Sequence, residues 1–457
     1  MVDNMSRASG DEQRTSSTSA SRRRTFLKSV GVAGMTAATA GCTLLGGSDG
    51  GAFADRDEIR FGLLTATQAT LGKGMVRCAE TAIEDINDNG GIAGKTATLS
   101  IGDTKADPQQ GLTAYQNLRD NDNIDVLAGI WISEVGMTLL PRLARDEMVT
   151  MATAMGTPQA TKKVDENYEK FKYFFRSQVH TNQMVDWSED YIQNYLLEEF
   201  DVNRVGLLVE DALWTEPYGA GLRDFFENEA NVELTFDERP STDTNDFSPL
   251  LQQAEDADVD VLYTIFSHLS GTSFFTPWQQ NQYDYLIDGF IATAGSFNYW
   301  KQTNGTSNYA ASQLQAGMSE QSPAFYERFI ERQPDDDIVF PNPQTYDGVR
   351  ILANAIGSAE TLDSDELVTQ LEGTSHEGLN GLIEFRGQDQ DHTHNLMMDR
   401  DHFYMRKVQW QALNEESPVT GGGYPYAIWP TDDLDAETDG IPTIERAEYQ
   451  MPSWMEQ

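Results

Sequence analysis

The chain has 457 residues, with 73 Asp and Glu against 32 Lys and Arg and a formal charge of −41, a balance that repels nucleic acid and anionic lipid head groups. Only two cysteines are present, which excludes a disulfide-stapled scaffold, and 39% apolar with 10% aromatic residues suffices for sizeable cores in two or three domains. Acidity of this kind suits a protein kept soluble in concentrated salt, where charges are screened beyond about 3 Å at 1 M.

The first element is not structural. Residues 21–42 read SRRRTFLKSVGVAGMTAATAGC. Arg23-Arg24 followed by Thr25, Phe26, Leu27 and Lys28 matches a twin-arginine export signal, and Val30 to Ala40 is small, weakly apolar and too short to span a bilayer. Thr39-Ala40-Gly41-Cys42 resembles the lipobox of lipoproteins, in which the cysteine thiol accepts a lipid. Residues 1–41 are therefore expected to be a signal peptide. They carry six Arg/Lys against three Asp/Glu, so their removal takes the charge from −41 to −44. With Cys42 lipidated, Cys78 has no disulfide partner and reads as a small core residue. Residues 42–57 are Gly-rich and polar, a flexible tether, and no later segment approaches the roughly 18 apolar residues of a spanning helix.

From Glu58 the pattern alternates. IRFGLLT (59–65) predicts a strand; Met75, Ala79, Ala82, Ile83 and Ile86 recur at helical spacing until Asn89-Gly90-Gly91. TATLSI, a helix around Pro108 to Asp120, VLAGI (126–130), a helix around Val135 to Asp146 and MVTMAT (148–153) continue the series. After KYFFRS (172–177) come a helix around Thr181 to Phe200, RVGLLVE (204–210), a helix after Tyr218, NVELTF, a helix around Phe247 to Glu255, VDVLYTIF (259–266) and YLIDGFIATA (285–294). Strands alternating with helices predict parallel sheets, and two such series predict an α/β fold of two doubly wound lobes. Ligands in such folds sit at the carboxyl ends of the strands. The last third is mixed, with helices around Tyr346 to Ser358 and Ser364 to Glu372, a strand LIEF and a strand around Phe403 to Gln411.

The order of these pieces resembles the type I periplasmic binding protein family, in its branched-chain amino acid and amide branch, which delivers solutes to ABC importers. The landmarks are IRFGLLTATQATLGKGM, INDNGGIAGK, VLAGIWISEVG, MVTMATAMGTPQAT, KYFFRS, VGLLVEDALWTEPYGAGL and QTYDGVRILANAI, spread over residues 58–412. The resemblance implies lobes joined by three crossovers, lobe one from about 55–177 and 319–398, lobe two from about 178–318 and 399–430, and an acidic tail at 431–457. Hinge positions are implied near Arg176-Ser177, Ala316-Gly317 and Met398-Asp399, closing around a solute.

The resemblance also implies the site. Ser133 would turn its hydroxyl toward a ligand carboxylate while opening a helix whose amides favour an anion; as a residue it also reads as a plain cap. Met155, Gly156 and Thr157 would clamp the same carboxylate, Tyr218 would cover the ligand from lobe two, and Trp214 shares that loop. Ser267, with His268 beside it, and Thr293 end lobe-two strands, and Tyr346 opens a lobe-one helix. Amino-acid binders of this family place an acidic residue at the strand read here as LIDGFIATA, to pair with the ligand's ammonium. This chain has Ala292, Thr293 and Ala294 there, with Glu134 and Glu210 as substitutes, so amides, urea-like compounds and small organic acids stand beside amino acids.

An enzyme would need a constellation of its own, and neither a GxSxG elbow, a Walker loop nor HExxH is present. Asp389, Asp391, His392, His394, Asp399, Asp401 and His402 include metal-ligating types but read as an acidic loop and a hinge crossover. Asn304-Gly305-Thr306 is the one glycosylation sequon after Cys42. The expectation is a monomeric, lipid-anchored, non-enzymatic binder without cofactor, metal or nucleic acid. Its partners would be a small-molecule solute, an ABC permease and, through the lipid on Cys42, the membrane; a solute-presenting sensor is the alternative.

Overall fold

The computed structural model describes residues 53–269, 272–314, 319, 321–332, 342–417, 420–430 and 445–455. The expected export signal with Arg23 and Arg24, the expected lipid site at Cys42 and the expected crossing at Ala316-Gly317 lie outside these residues. No described helix is long and apolar enough to cross a membrane.

Lobe one is built on five parallel strands, β1 (Glu58–Thr65), β2 (Thr96–Asp103), β3 (Val126–Gly129), β4 (Thr150–Ala152) and β5 (Phe174–Arg176), in the order β2-β1-β3-β4-β5. β3 is buried at every residue, as a parallel strand covered on both faces must be. Its neighbour β1 pairs in parallel with both β2 and β3, Phe61 lying opposite Leu99 on one side and Val126 on the other. Helix ends follow sequence chemistry. The helix Pro108–Asp120 starts on Asp107, whose side chain accepts from the Gln110 N–H, with Pro108 in its first turn. The helix Thr70–Asp88 buries Leu71, Met75, Cys78, Ala79, Ala82 and Ile83 on one face; burial raises the Cys78 thiol well above its ordinary value, so it is an inert core residue. The helix Asn342–Ala359 packs on it through Asn342, whose side-chain amide donates to the Leu71 carbonyl at 2.8 Å.

Lobe two repeats the plan. β6 (Arg204–Val209), β7 (Glu233–Glu238), β8 (Val261–Phe266) and β9 (Leu286–Ile291) are parallel in the order β7-β6-β8-β9. Beside them β10 (Ala311–Leu314), with β13 (Arg406–Ser417) and β14 (Gly421–Trp429), makes an antiparallel sheet, and a small hairpin joins β11 (His376–Gly378) to β12 (Gly381–Ile383). The returning strand is pinned inside by one ion pair. Lys407 on β13 and Asp288 on β9 are both fully buried with Nζ and Oδ1 2.6 Å apart, and the Tyr191 hydroxyl donates to the other carboxylate oxygen at 2.8 Å. The rings of Tyr191, Tyr263 and Trp187 surround the ammonium. Residues 445–455 dock on this lobe, Trp454 donating to the Tyr283 carbonyl at 3.0 Å and meeting Trp278 edge to face.

Two crossovers run side by side. The Arg176 N–H donates to the His394 carbonyl at 2.9 Å, and the Leu396 N–H to the Arg176 carbonyl at 3.0 Å. The helix Thr181–Tyr191 leaves this junction under a capping box of His180 and Gln183, and Gln183 reaches back to Asn395 and the Leu396 carbonyl.

Two element boundaries differ from the sequence reading in ways that matter later. The lobe-two helix begins at Thr215, not after Tyr218, so Tyr218 falls on its inward face. β9 ends at Ile291, and Ala292–Gly295 forms a single 3₁₀ turn that carries Thr293.

Candidate functional site

In both parallel sheets the strand order reverses at the first strand, β1 in lobe one and β6 in lobe two, and a crevice forms outside the carboxyl ends of strands at such a point. The cavity between the lobes is lined from there. Trp131, Ile132 and Ser133 follow β3, Ala154 and Gly156 follow β4, Gln178 follows β5, Trp214 follows β6, Ser267 and His268 follow β8, and Phe290 lies within β9. Leu71 and Met184 complete it. Its volume is about 30 Å³, room for one or two waters.

The turn that carries Trp131 is strained. Gly129 has φ 106, and a Cβ there would meet the Leu64 carbonyl oxygen at 2.6 Å; the next residue, β-branched Ile130, is held at φ 61 with its N–H on that same carbonyl. A β-branched residue in the left-handed region costs about 1–3 kcal/mol and is tolerated where the geometry serves the site. Here it throws Trp131 across the cleft, where its ring stacks on His268 of lobe two with centroids 5.4 Å apart.

His268 is itself held by Glu210, a fully buried carboxylate at the end of β6. One oxygen of Glu210 accepts from the backbone N–H groups of Ser267, His268 and Leu269 at 2.9–3.0 Å. The other accepts from Trp214 Nε1 at 3.0 Å and contacts His268 Nδ1 at 2.7 Å. Burial works against a charge on His268, but the hydrogen bond and charge of Glu210, with Glu134 beyond it, outweigh burial and raise its pKa above the ordinary histidine value. Glu134 is also engaged, since its Oε1 accepts from the Leu213 N–H across the cleft at 3.0 Å. Neither carboxylate lines the cavity.

The lobe-one floor rests on Arg176. Its guanidinium is fully buried and donates to the carbonyls of Met155 and Thr157, to Thr161 Oγ1 at 2.9 Å and to Asn395 Oδ1 at 2.5 Å. No carboxylate among the described residues pairs with it, and burial alone lowers its pKa to about 9. The Gly156 carbonyl accepts from the N–H and hydroxyl of Thr181, whose hydroxyl also donates to the Trp214 carbonyl, so one threonine joins the hinge to a loop from each lobe.

Of the residues expected from sequence, Ser133, Gly156, Trp214 and Ser267 come together around the cavity. Thr157 stands behind it, its N–H on Ser133 Oγ at 3.3 Å and its hydroxyl accepting from the Gln159 N–H. Met155 is a core residue whose sulfur lies over Gly136. The Tyr218 hydroxyl is buried against Ser188 Oγ at 2.8 Å and Gln313 Oε1 at 3.1 Å, and Thr293 is buried in its 3₁₀ turn; neither lines the cavity. Tyr346 lines a separate surface pocket with Arg328 and Arg350, its hydroxyl on Asp85 at 2.7 Å. In the 389–402 segment, His392 contacts Thr161, His394 pairs with Glu372, and His402 pairs with Asp399 and Glu384. No group of three or more His, Cys, Asp or Glu among the described residues is arranged to hold a metal. Trp131, Gln178 and Arg176 carried no local signal of a site role beyond their places at strand ends.

Two parallel-sheet lobes meeting at the carboxyl ends of their strands, with paired crossovers and a cavity lined from both sides, define the type I binding-protein fold. The family model described as "Periplasmic binding protein" matches residues 58–400, and the chain belongs to this family. It is 27% identical over 212 residues to a Leu/Ile/Val-binding protein, BraC3, of Rhizobium johnstonii, the match covering 45% of this chain and 54% of the relative. The chain thus spans about half the length of the curated relatives it matches. Among solved structures, a putative branched-chain amino acid ABC transporter protein of Silicibacter pomeroyi aligns with TM-score 0.70 at 17% identity, covering 87% of this chain and all of that one. A solute-binding protein of an ABC transporter from Rhodopseudomonas palustris BisB5, in complex with 3,4-dihydroxybenzoic acid, aligns with TM-score 0.67 at 18% identity over 81% of this chain and 97% of that one.

Proposed function

We propose that this chain captures a small polar organic solute outside the cytoplasm and delivers it to the permease of an ABC importer. The observation that carries this reading is the inter-lobe cavity at the carboxyl ends of β3, β4, β5, β6 and β8, in a chain of the periplasmic binding protein family. Ser133, Gly156, Trp214 and Ser267 touch the solute, Thr157 and Met155 support them, Tyr218 and Thr293 stand behind this wall, and Tyr346 lies apart from it in its own pocket. Amino acids, amides, urea-like compounds and small carboxylates are the candidate solutes, and the names of the relatives include binders of the first and the last. The reading includes twin-arginine export, a lipid anchor on Cys42 and a monomeric body. Capture works by hinge closure: Glu134 and Trp131 of lobe one meet the Leu213 N–H and His268 of lobe two once the solute bridges the floor.

Thermal unfolding in high salt against a panel of these solutes tests it. A bound solute at a hundred times its Kd stabilises by about 2.7 kcal/mol, and Ser133→Ala should weaken the effect. A panel without any shift, together with unchanged uptake by cells carrying Trp131→Ala, would refute it.

A further inference from the structure

The inference that follows rests on the solute-capture reading and narrows its chemistry. We propose that the solute is an aromatic carboxylate with a hydrogen-bonding ring substituent and no ammonium group.

The charge inventory comes first. A buried ammonium needs an anionic partner, and none of the residues lining the cavity is Asp or Glu. Glu210 spends both oxygens on the turn 267–269, on Trp214 and on His268, and Glu134 is turned to the Leu213 N–H. An anion is served instead. Arg176, a buried cation lacking a carboxylate among the described residues, grips the carbonyls on either side of Gly156. Gripping the Met155 carbonyl polarises the Met155–Gly156 peptide, and the Gly156 N–H of that peptide has no acceptor among the described residues. Ser133 Oγ accepts from the Thr157 N–H, so its own proton is free to donate, and the Ser133–Arg145 helix opens at that point. A carboxylate seated here supplies the counter-charge that the floor lacks.

The walls fix the rest. Four of the lining residues, Trp131, Trp214, His268 and Phe290, carry aromatic rings, which suit a planar body. The Gln178 side chain is 3% exposed and lines the cavity, and its Oε1 is buried with no hydrogen-bond partner. Such a group is costly unless the ligand answers it, which a ring hydroxyl does.

The test is calorimetric titration of the lipid-free mature chain in high salt with benzoate, 4-hydroxybenzoate, leucine, valine and isobutyramide. The expected result is that 4-hydroxybenzoate binds at least tenfold more tightly than leucine or the amide, and more tightly than benzoate. In Gln178→Leu the ratio of hydroxybenzoate to benzoate affinity should fall toward one, while Trp131→Ala should weaken both at least tenfold. If leucine or the amide binds more tightly than either aromatic acid, and Trp131→Ala abolishes that binding, the assigned chemistry is overturned while solute capture stands. If nothing binds at millimolar concentration and Trp131→Ala leaves uptake unchanged, both fall together.

Discussion

Glu210→Gln is the most searching single change, because one carboxylate organises the whole lobe-two wall of the cleft. In the native protein one oxygen takes the amides of Ser267, His268 and Leu269, and the other takes Trp214 Nε1 and His268 Nδ1. Glutamine keeps a single acceptor. If that oxygen stays with the three amides, the new NH₂ faces the Trp214 N–H, and an indole donor is left buried without a partner at a cost of about 1–3 kcal/mol. The three amide bonds also fall from charge-assisted to neutral strength, roughly 1 kcal/mol each. Relief from desolvating a charge works the other way and removes part of this total. The expected net loss is about 3 kcal/mol of unfolding free energy, measured by urea denaturation in high salt. A second readout is specific to the mechanism. Against burial, Glu210 raises the pKa of His268, so the pair contributes stability that is fully present below the unfolded histidine value, about 6.5, and is lost as pH climbs through the higher folded value. The gap between wild type and Glu210→Gln should therefore shrink from pH 6 upward, and the His268 titration midpoint, followed by NMR, should fall in the variant. A loss below about 1 kcal/mol with an unmoved His268 midpoint would refute the argument.

Other expectations are simpler. Lys407→Met should cost about 3–5 kcal/mol by leaving Asp288 buried without its cation, and Lys407→Met with Asp288→Leu should recover most of it; additive losses in chemical denaturation would contradict this. Gly289→Ala should destabilise by at least about 2 kcal/mol, since Gly289 sits at φ 123 and a Cβ there would lie 2.0 Å from the Thr264 carbonyl oxygen; an unshifted Tm would count against the packing. Cys42→Ser should release a protein that still binds its solute yet supports uptake poorly, checked by fractionation and transport assay, and full uptake by the released form would remove tethering from the mechanism.

Much of the fold was legible because parallel strands buried on both faces leave continuous apolar runs. VLAGI became β3, RVGLLVE became β6 and IRFGLLT became β1, each within a residue or two. Of the expected site residues, those that line the cavity, Ser133, Gly156, Trp214 and Ser267, follow strand ends and face the crevice from a loop or the first turn of a helix. Tyr218 and Tyr346 sit where helical phase, not loop position, decides direction, and with the helix starting four residues earlier than read the Tyr218 ring lies in the core. Glu210 looked like a free acid because its five donors come from residues up to 59 positions away. That Arg176 pairs with no carboxylate among the described residues was invisible for the same reason, since an ion partner is a property of tertiary surroundings.

Arg176 has one more consequence. A chain with so few basic residues keeps this one entirely inside, and encloses Lys407 with its own counter-ion. The shell that water sees is therefore poorer in positive charge than the formula states, and mobile cations must supply the difference. Because the folded body concentrates that negative charge in less space than the open chain does, it gathers the denser ionic cloud. Diluting the salt thins this cloud, and the self-repulsion it had screened bears more heavily on the folded body than on the open chain.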